Sequence, residues 1–293
     1  MHKIFSLHKI YATNKIPFSE AAYSCFKFGD GLAAAQFGQE LGYAFVEQHQ
    51  QMLLQLQEQI VVLASPFSGI PTASFYMKEA FVKQLNRFLA LHQRPVVEEA
   101  KIYRTTTYRI DYGNLSAEER LALIGNDSFY SDKHFLAGKF LIFIDDIRIT
   151  GSHQKVIELM MQQQGMTNPH CFAYFAELAN NSIHPNIENY LNYFEVKSLD
   201  DLRSFIFSHH FSFNTRVVKF LLAADTMELD NLLQEAPATF VENLADCAIS
   251  NSYHTMEEYQ HNFNFLLTIL HLKQTTFYGY QSSKGTKREP ERT

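Results

Sequence analysis

The chain has no tryptophan, and only three cysteines among its 293 residues. Cys25, Cys171 and Cys247 are odd in number and far apart, which excludes a disulfide framework or a paired-cysteine zinc site and suits a reducing compartment. No stretch approaches the roughly 18 uninterrupted apolar residues that span a bilayer. The opening MHKIFSLHKIYATNK also lacks the continuous apolar run of a secretion signal. A soluble, cytoplasmic protein with no membrane partner is the expectation. Net positive charge is missing as well: Lys and Arg total 25 against 31 Asp and Glu, a formal balance of -6, so no global basic field draws the chain to nucleic acid. The thirteen histidines show no HExxH-type spacing, which argues against a zinc site.

What is present is an ordinary globular composition, 46% hydrophobic and 19% charged, rich in phenylalanine. At this length, one enlarged domain or a domain with an accessory lobe is expected. Residues from Ser19 to about Gln59 carry helix formers with apolar residues at helical spacing. QIVVLASP then reads as a buried strand, FSGIP as a glycine turn, and the stretch opened by Pro71 and Thr72 as a long helix. PVVEEAKIYR is a second strand, followed by a long connection, Thr105 to Gly138, in which LSAEERLALIG suggests a short helix capped by Ser116. KFLIFIDD is the third strand, Ser152 to Gln164 a helix, HCFAYFAEL the fourth strand and NYFEVKSL the fifth. Strands alternating with helices predict an α/β fold, a parallel sheet of about five strands flanked by helices. Beyond Leu199 the pattern turns helical. The predicted organisation is an N-terminal helical segment over 1–58, an α/β core over 59–199, a C-terminal helical lobe over 200–281 and a disordered tail over 282–293.

The chemistry concentrates in LIFIDDIRITGSH, Leu141 to His153. In open α/β sheets, ligands bind at the carboxyl ends of strands, where this acidic pair falls. The turn Arg148, Ile149, Thr150, Gly151, Ser152, His153 opens a helix, and its backbone amides and hydroxyls suit a phosphate. Asp145 and Asp146 would repel a phosphate and suit hydroxyl donors or a divalent metal instead. A ligand carrying both a phosphate and vicinal hydroxyls is a sugar phosphate. A solvated strand end could also carry two carboxylates, but the apolar run and the Thr-Gly loop together favour the site.

This segment resembles the phosphoribosyl pyrophosphate (PRPP) motif of type I phosphoribosyltransferases. SPFSGIP, Ser65 to Pro71, follows the first strand, where that family places its pyrophosphate-binding loop. The resemblance covers about Gln59 to Leu199 and implies a core sheet under a helical hood built from the N- and C-terminal segments. It also implies ribose contacts from Asp145 and Asp146, a 5-phosphate on Arg148 to His153, and pyrophosphate on Ser65, Pro66, Phe67, Ser68 and Gly69. Arg104, Arg109 and Lys133 are the lid cations for the leaving group, with Arg104 and Arg109 ranked first. Mg²⁺ would come mainly with PRPP, with Asp145 and Asp146 as further ligands.

The implied activity is transfer of the 5-phosphoribosyl group from PRPP to a nitrogenous base or other small acceptor, with pyrophosphate released. Its partners are PRPP and that unidentified acceptor; family members are often homodimers. A PRPP- or nucleotide-sensing regulator on the same fold is the second reading, and a nucleotide hydrolase the third. Ile149 stands where the 6-oxopurine branch carries an acidic residue, and Ser68 where orotate-type enzymes carry Lys, so neither hypoxanthine or guanine nor orotate fits well. In FKFGDG, Phe26 to Gly31, Lys27 and Asp30 suit acceptor contacts, while Asp30 equally suits a helix N-cap.

Overall fold

The computed structural model describes residues 3–104 and 129–284, with side chains from Ile4 to Arg104 and from Phe129 to Leu272. Arg109 and the helix expected over LSAEERLALIG lie outside the described residues. So does 285–293, most of the expected tail. The chain divides into two units, residues 1–217 and 218–293.

In chain order the first unit contains β1 (Lys3–Ile10), α1 (Glu20–Lys27), α2 (Gly31–Gln55), β2 (Ile60–Ala64), α3 (Ala73–Leu91), β3 (Glu98–Ala100), β4 (Tyr103–Arg104) and β5 (Phe129–Tyr130). It continues with α4 (Lys133–Leu136), β6 (Phe140–Arg148), α5 (Ser152–Gln163), β7 (His170–Leu178), α6 (Ile187–Asn192) and α7 (Leu199–Leu202). Helix α8 (Thr215–Leu222) crosses the boundary between units. The five-stranded sheet has the order β1-β7-β6-β2-β3, and every neighbouring pair is parallel. β4 and β5 form a separate antiparallel ribbon.

Strand β6 explains the layering. Phe140, Ile142 and Ile144 enter one core with α2 and α3, while Leu141 and Phe143 enter the other with Ile157, Met160 and Met161 of α5. Alternation of period two on a strand buried from both sides gives this division, and it is why LIFI reads as a continuous apolar run. After β2 the chain steps outward to β3; it then returns past β2 to β6 and steps the other way to β7. The sheet order therefore reverses between β2 and β6. Their carboxyl ends flank the crevice in which α/β folds bind ligands.

Two strand assignments change. The fifth strand is β1, from a stretch assigned to helix, and it pairs along β7 from Lys3 with Cys171 to Ile10 with Leu178. Its alternation is weak because it is an edge strand, with Ile4 exposed and Phe5 and Ile10 buried. NYFEVKSL is not a strand. Helix α6 ends in it, and the Ser24 hydroxyl of α1 donates to Asn192 O at 2.9 Å and accepts from Val196 N at 3.1 Å.

The second unit is helical, as its sequence pattern predicts: α9 (Thr226–Glu235), α10 (Ala238–Ser250), a short 3-10 turn (Tyr253–Thr255) and α11 (Glu257–Lys284). Buried Asn262 ties it together, donating to Leu222 O and Ala224 O at 3.0 and 2.7 Å and accepting from the Thr226 hydroxyl at 2.7 Å.

In the first unit, α2 and α3 approach closely because Gly38 and Gly42 of α2 face α3. A Cβ on Gly38 would run into Met77 O and the Ala80 methyl. Gly38→Ala is therefore predicted to lower stability by about 1–3 kcal/mol despite its better helix propensity. An unchanged denaturant midpoint would show that α3 moves aside freely.

Candidate functional site

The carboxyl end of β6 carries Asp145 and Asp146, and pleating sends them to opposite faces of the sheet. Asp146 enters the side covered by α1. Its Oδ2 accepts from the Tyr23 hydroxyl and from Lys27 Nζ, both at 2.5 Å. Tyr23 and Lys27 lie one turn apart on α1, so they converge on one oxygen. Ser19 caps this helix, accepting from Ala22 N at 3.2 Å. The pair is secluded, with the Lys27 and Asp146 side chains 12% and 8% exposed.

Asp145 faces the α5 side. Its Oδ1 accepts from the Ser65 hydroxyl at 2.5 Å and from Asp146 N at 3.0 Å, and its Oδ2 lies 2.8 Å from His153 Nδ1. Ser65 follows β2 directly, so a single hydrogen bond ties the two loops of the crevice together. Behind it, Ser74 donates to Ser65 Oγ at 2.9 Å, and Ser74 in turn sits 3.0 Å from Thr72 Oγ1.

The environments push the two acids apart. Burial raises the Asp145 carboxyl, but His153 and the donors on it outweigh burial and hold it below the usual carboxylate range. For Asp146, burial together with the Asp145 charge prevails over Lys27 and Tyr23, and its pKa is raised. Tyr23 itself is pushed well up, by burial first and then by Asp146, so it remains a neutral donor.

The turn after β6 leads directly into α5. Gly151, at φ 72°, is the N-cap of α5 in the left-handed region, a conformation glycine adopts without strain. Thr150 Oγ1 accepts from Ser152 N at 3.3 Å and lies 2.8 Å from Ser152 Oγ. First-turn amides of a helix point outward, at the positive end of its dipole. Arg148 folds along this turn, its Nε donating to Gln154 Oε1 at 3.2 Å, with Glu177 3.8 Å from its other end. Ile149 contributes only backbone here, because its side chain is buried in the core shared with α2 and α3.

Across the crevice, Ser65, Pro66, Phe67, Ser68 and Gly69 form the loop after β2. Phe67 N donates to Ile102 O, and Arg104 N donates to Phe67 O, each at 3.3 Å, which places Arg104 against the loop. Lys133 is not brought to it. The carbonyl of Leu136 at the end of α4 accepts from Asn168, which lies just before β7 begins; α4 therefore sits at the amino end of the sheet, opposite Asp145. A cation missed by sequence reading takes part instead. Lys101 Nζ donates to Ser68 O at 2.5 Å and lies 4.0 Å from the Phe67 ring centre. Burial depresses its pKa. The signal was a lysine just past the second strand, opposite the loop position where a lysine was missing.

FKFGDG is also resolved. Lys27 is the partner of Asp146, and Asp30 is the N-cap of α2, accepting from Leu32 N at 2.9 Å. Residues 210–215 cover the same region: Gly31 N donates to His210 O, Ser212 N to Gly29 O, and Thr215 N to Pro71 O.

The carboxylates give a divalent metal a poor welcome. Direct ligation by Asp146 would require displacing a secluded ammonium, and Asp145 already holds three partners. Among the described residues no group of three or more His, Cys, Asp or Glu could hold a metal ion, and no helix is long and apolar enough to cross a membrane.

A parallel five-stranded sheet that reverses between two strand-end loops, one of them following an apolar strand that ends in an acidic pair, is the type I phosphoribosyltransferase-like fold. The chain belongs to the family described as PRTase ComF-like, whose model matches residues 1–266. Similar solved structures include an adenine phosphoribosyltransferase, 18% identical over 48% of this chain and 70% of that one, with a TM-score of 0.31. A hypoxanthine phosphoribosyltransferase from Staphylococcus aureus is 11% identical over 59% and 88%, with a TM-score of 0.32. An adenine phosphoribosyltransferase from Saccharomyces cerevisiae is 19% identical over 48% and 69%, with a TM-score of 0.30. No curated protein matches.

The opposed shifts have a consequence for stability. A lowered carboxylate contributes stability that is present above its unfolded pKa and lost as pH falls through the folded value. Asp145→Asn is therefore predicted to lower the denaturation midpoint at pH 7, by a gap that narrows toward pH 3. A gap that stays constant with pH would contradict the assignment.

Proposed function

We propose that this crevice binds PRPP and transfers its 5-phosphoribosyl group to a nitrogenous base or other small acceptor, releasing pyrophosphate. The observation that carries the reading is the Ser65–Asp145 hydrogen bond, which fixes an anion-binding turn and a second loop at one strand end with a carboxylate between them. The 5-phosphate fits the first-turn amides of α5, with Arg148 alongside. The diphosphate fits the loop Ser65 to Gly69, with Lys101 and Arg104 supplying positive charge. A carboxylate offers about four acceptor sites; the bonds named for Asp145 use three. One remains on Oδ2 for a ribose hydroxyl.

In the reaction the bond from ribose C1 to the pyrophosphate oxygen breaks and its electron pair leaves with pyrophosphate. A lone pair on the acceptor forms the new bond to C1, and the acceptor's proton passes to solvent. The ribosyl centre is cationic in passing, so the protein's task is to position the groups, neutralise the leaving group and exclude water. Asp145, held ionised, lies on the ribose side of that centre, and Lys101 lies on the leaving-group side. No step is assigned to Mg²⁺, since Lys27 occupies Asp146 and the one position left on Asp145 is taken by the ribose hydroxyl. The acceptor binds beneath the covering segments 27–31 and 210–215.

The partnering of both carboxylates also favours a second reading, a sensor that binds PRPP without turnover. Calorimetric titration with PRPP, followed by pyrophosphate release across a panel of bases, separates the two. Binding is predicted for the wild type, and the Asp145→Asn, Asp146→Asn double variant is predicted to lose it. Lys101→Ala is predicted to weaken binding by about tenfold, the order of one charge-assisted contact. Equal PRPP affinity in the double variant would refute the site, and binding with no pyrophosphate released on any acceptor would select the sensor.

A further inference from the structure

We propose that Lys27 is a built-in counter-cation for the acidic pair, so that this chain takes PRPP without needing a divalent metal. The inference rests on the PRPP reading above and concerns how the same site is neutralised. A metal ligated by the two carboxylates would have to find room among the partners they already hold. Here Asp146 has an ammonium and Asp145 a histidine nitrogen on its own face of the sheet. Lys27 Nζ lies 2.5 Å from Asp146 Oδ2, and His153 Nδ1 lies 2.8 Å from Asp145 Oδ2.

Lys27 is held where it is by more than attraction to Asp146. It occupies the last turn of α1, where a cation is favoured by the helix dipole. Its carbonyl accepts from the side chain of buried Asn214 at 3.1 Å, which fixes the end of the helix. One turn earlier, the fully buried Tyr23 donates to the same carboxylate oxygen, so the ammonium and the hydroxyl share one acceptor from one helix face. A divalent ion on Asp146 would have to displace the ammonium or lie beside it, two like charges within a few ångströms in a site largely closed to water.

The remaining charge on PRPP also meets fixed protein cations. Lys101 stands at the loop after β2 and Arg148 at the turn before α5. Neutralisation is thereby distributed over ammonium and guanidinium groups held by the fold.

The test is the affinity of the full chain for PRPP, measured calorimetrically in excess EDTA and again in excess MgCl₂. Dissociation constants agreeing to within about twofold are expected, and a loss of about tenfold or more in EDTA would overturn the proposal while leaving the PRPP site standing. Binding in neither condition would overturn the PRPP reading itself, and the proposal with it. Lys27→Met supplies the converse. It is expected to bind about tenfold more weakly in EDTA and to recover in MgCl₂. A merely structural role for Lys27 would weaken binding equally in both, and that result would also count against the proposal. Should the variant not fold, the wild-type comparison still decides.

Discussion

Two neighbouring carboxylates at the end of one buried strand cannot share a face of the sheet, and the arrangement around them follows from that constraint. Pleating sends Asp145 toward α5 and Asp146 toward α1, so each must be satisfied from a different layer. From one side comes a helix whose last two turns supply Tyr23 and Lys27; from the other come a serine of the facing loop and a histidine of the next helix. The acidic pair thus joins both helical layers and both crevice loops at one point. Breaking a secluded pair such as Lys27–Asp146 leaves an uncompensated charge, which in comparable settings costs about 3–5 kcal/mol.

The same constraint separates the environments of the two carboxylates. Of the two, Asp145 faces the turn that opens α5 and is held below the ordinary carboxylate range. Asp146 is turned inward and raised, and serves to anchor the N-terminal helix over the crevice. The covering segments 27–31 and 210–215 are then fixed relative to the loop ending in Pro71 by backbone hydrogen bonds.

Much of this was legible in the sequence because it is local. The strand, acidic pair, glycine turn and helix start of LIFIDDIRITGSH are consecutive, and so are the strand and glycine turn of IVVLASPFSGIP; their periodicities and turn residues announce them. What was not legible depends on partners distant in sequence. Lys27 and Asp146 are 119 positions apart in the chain, and nothing in FKFGDG alone names the carboxylate it meets. Lys101 reaches the loop after β2 only because β3 lies beside β2. Lys133 looked like a lid cation by its position in a long connection, but the chain had already returned to the far end of the sheet. β1 escaped notice because an edge strand with one protected face shows weak alternation, whereas NYFEVKSL showed apolar residues that are buried by a helix end.

The central claim is that one donor molecule spans the two loops joined through Ser65 and Asp145. The most direct measurement is a crystal structure of the chain with PRPP. The account predicts the 5-phosphate on the amides of Thr150 to His153, the diphosphate against Ser65 to Gly69 within reach of Lys101, and Lys27 still on Asp146. A donor whose phosphate lies elsewhere, or whose binding displaces Lys27 in favour of a metal on Asp146, would contradict it.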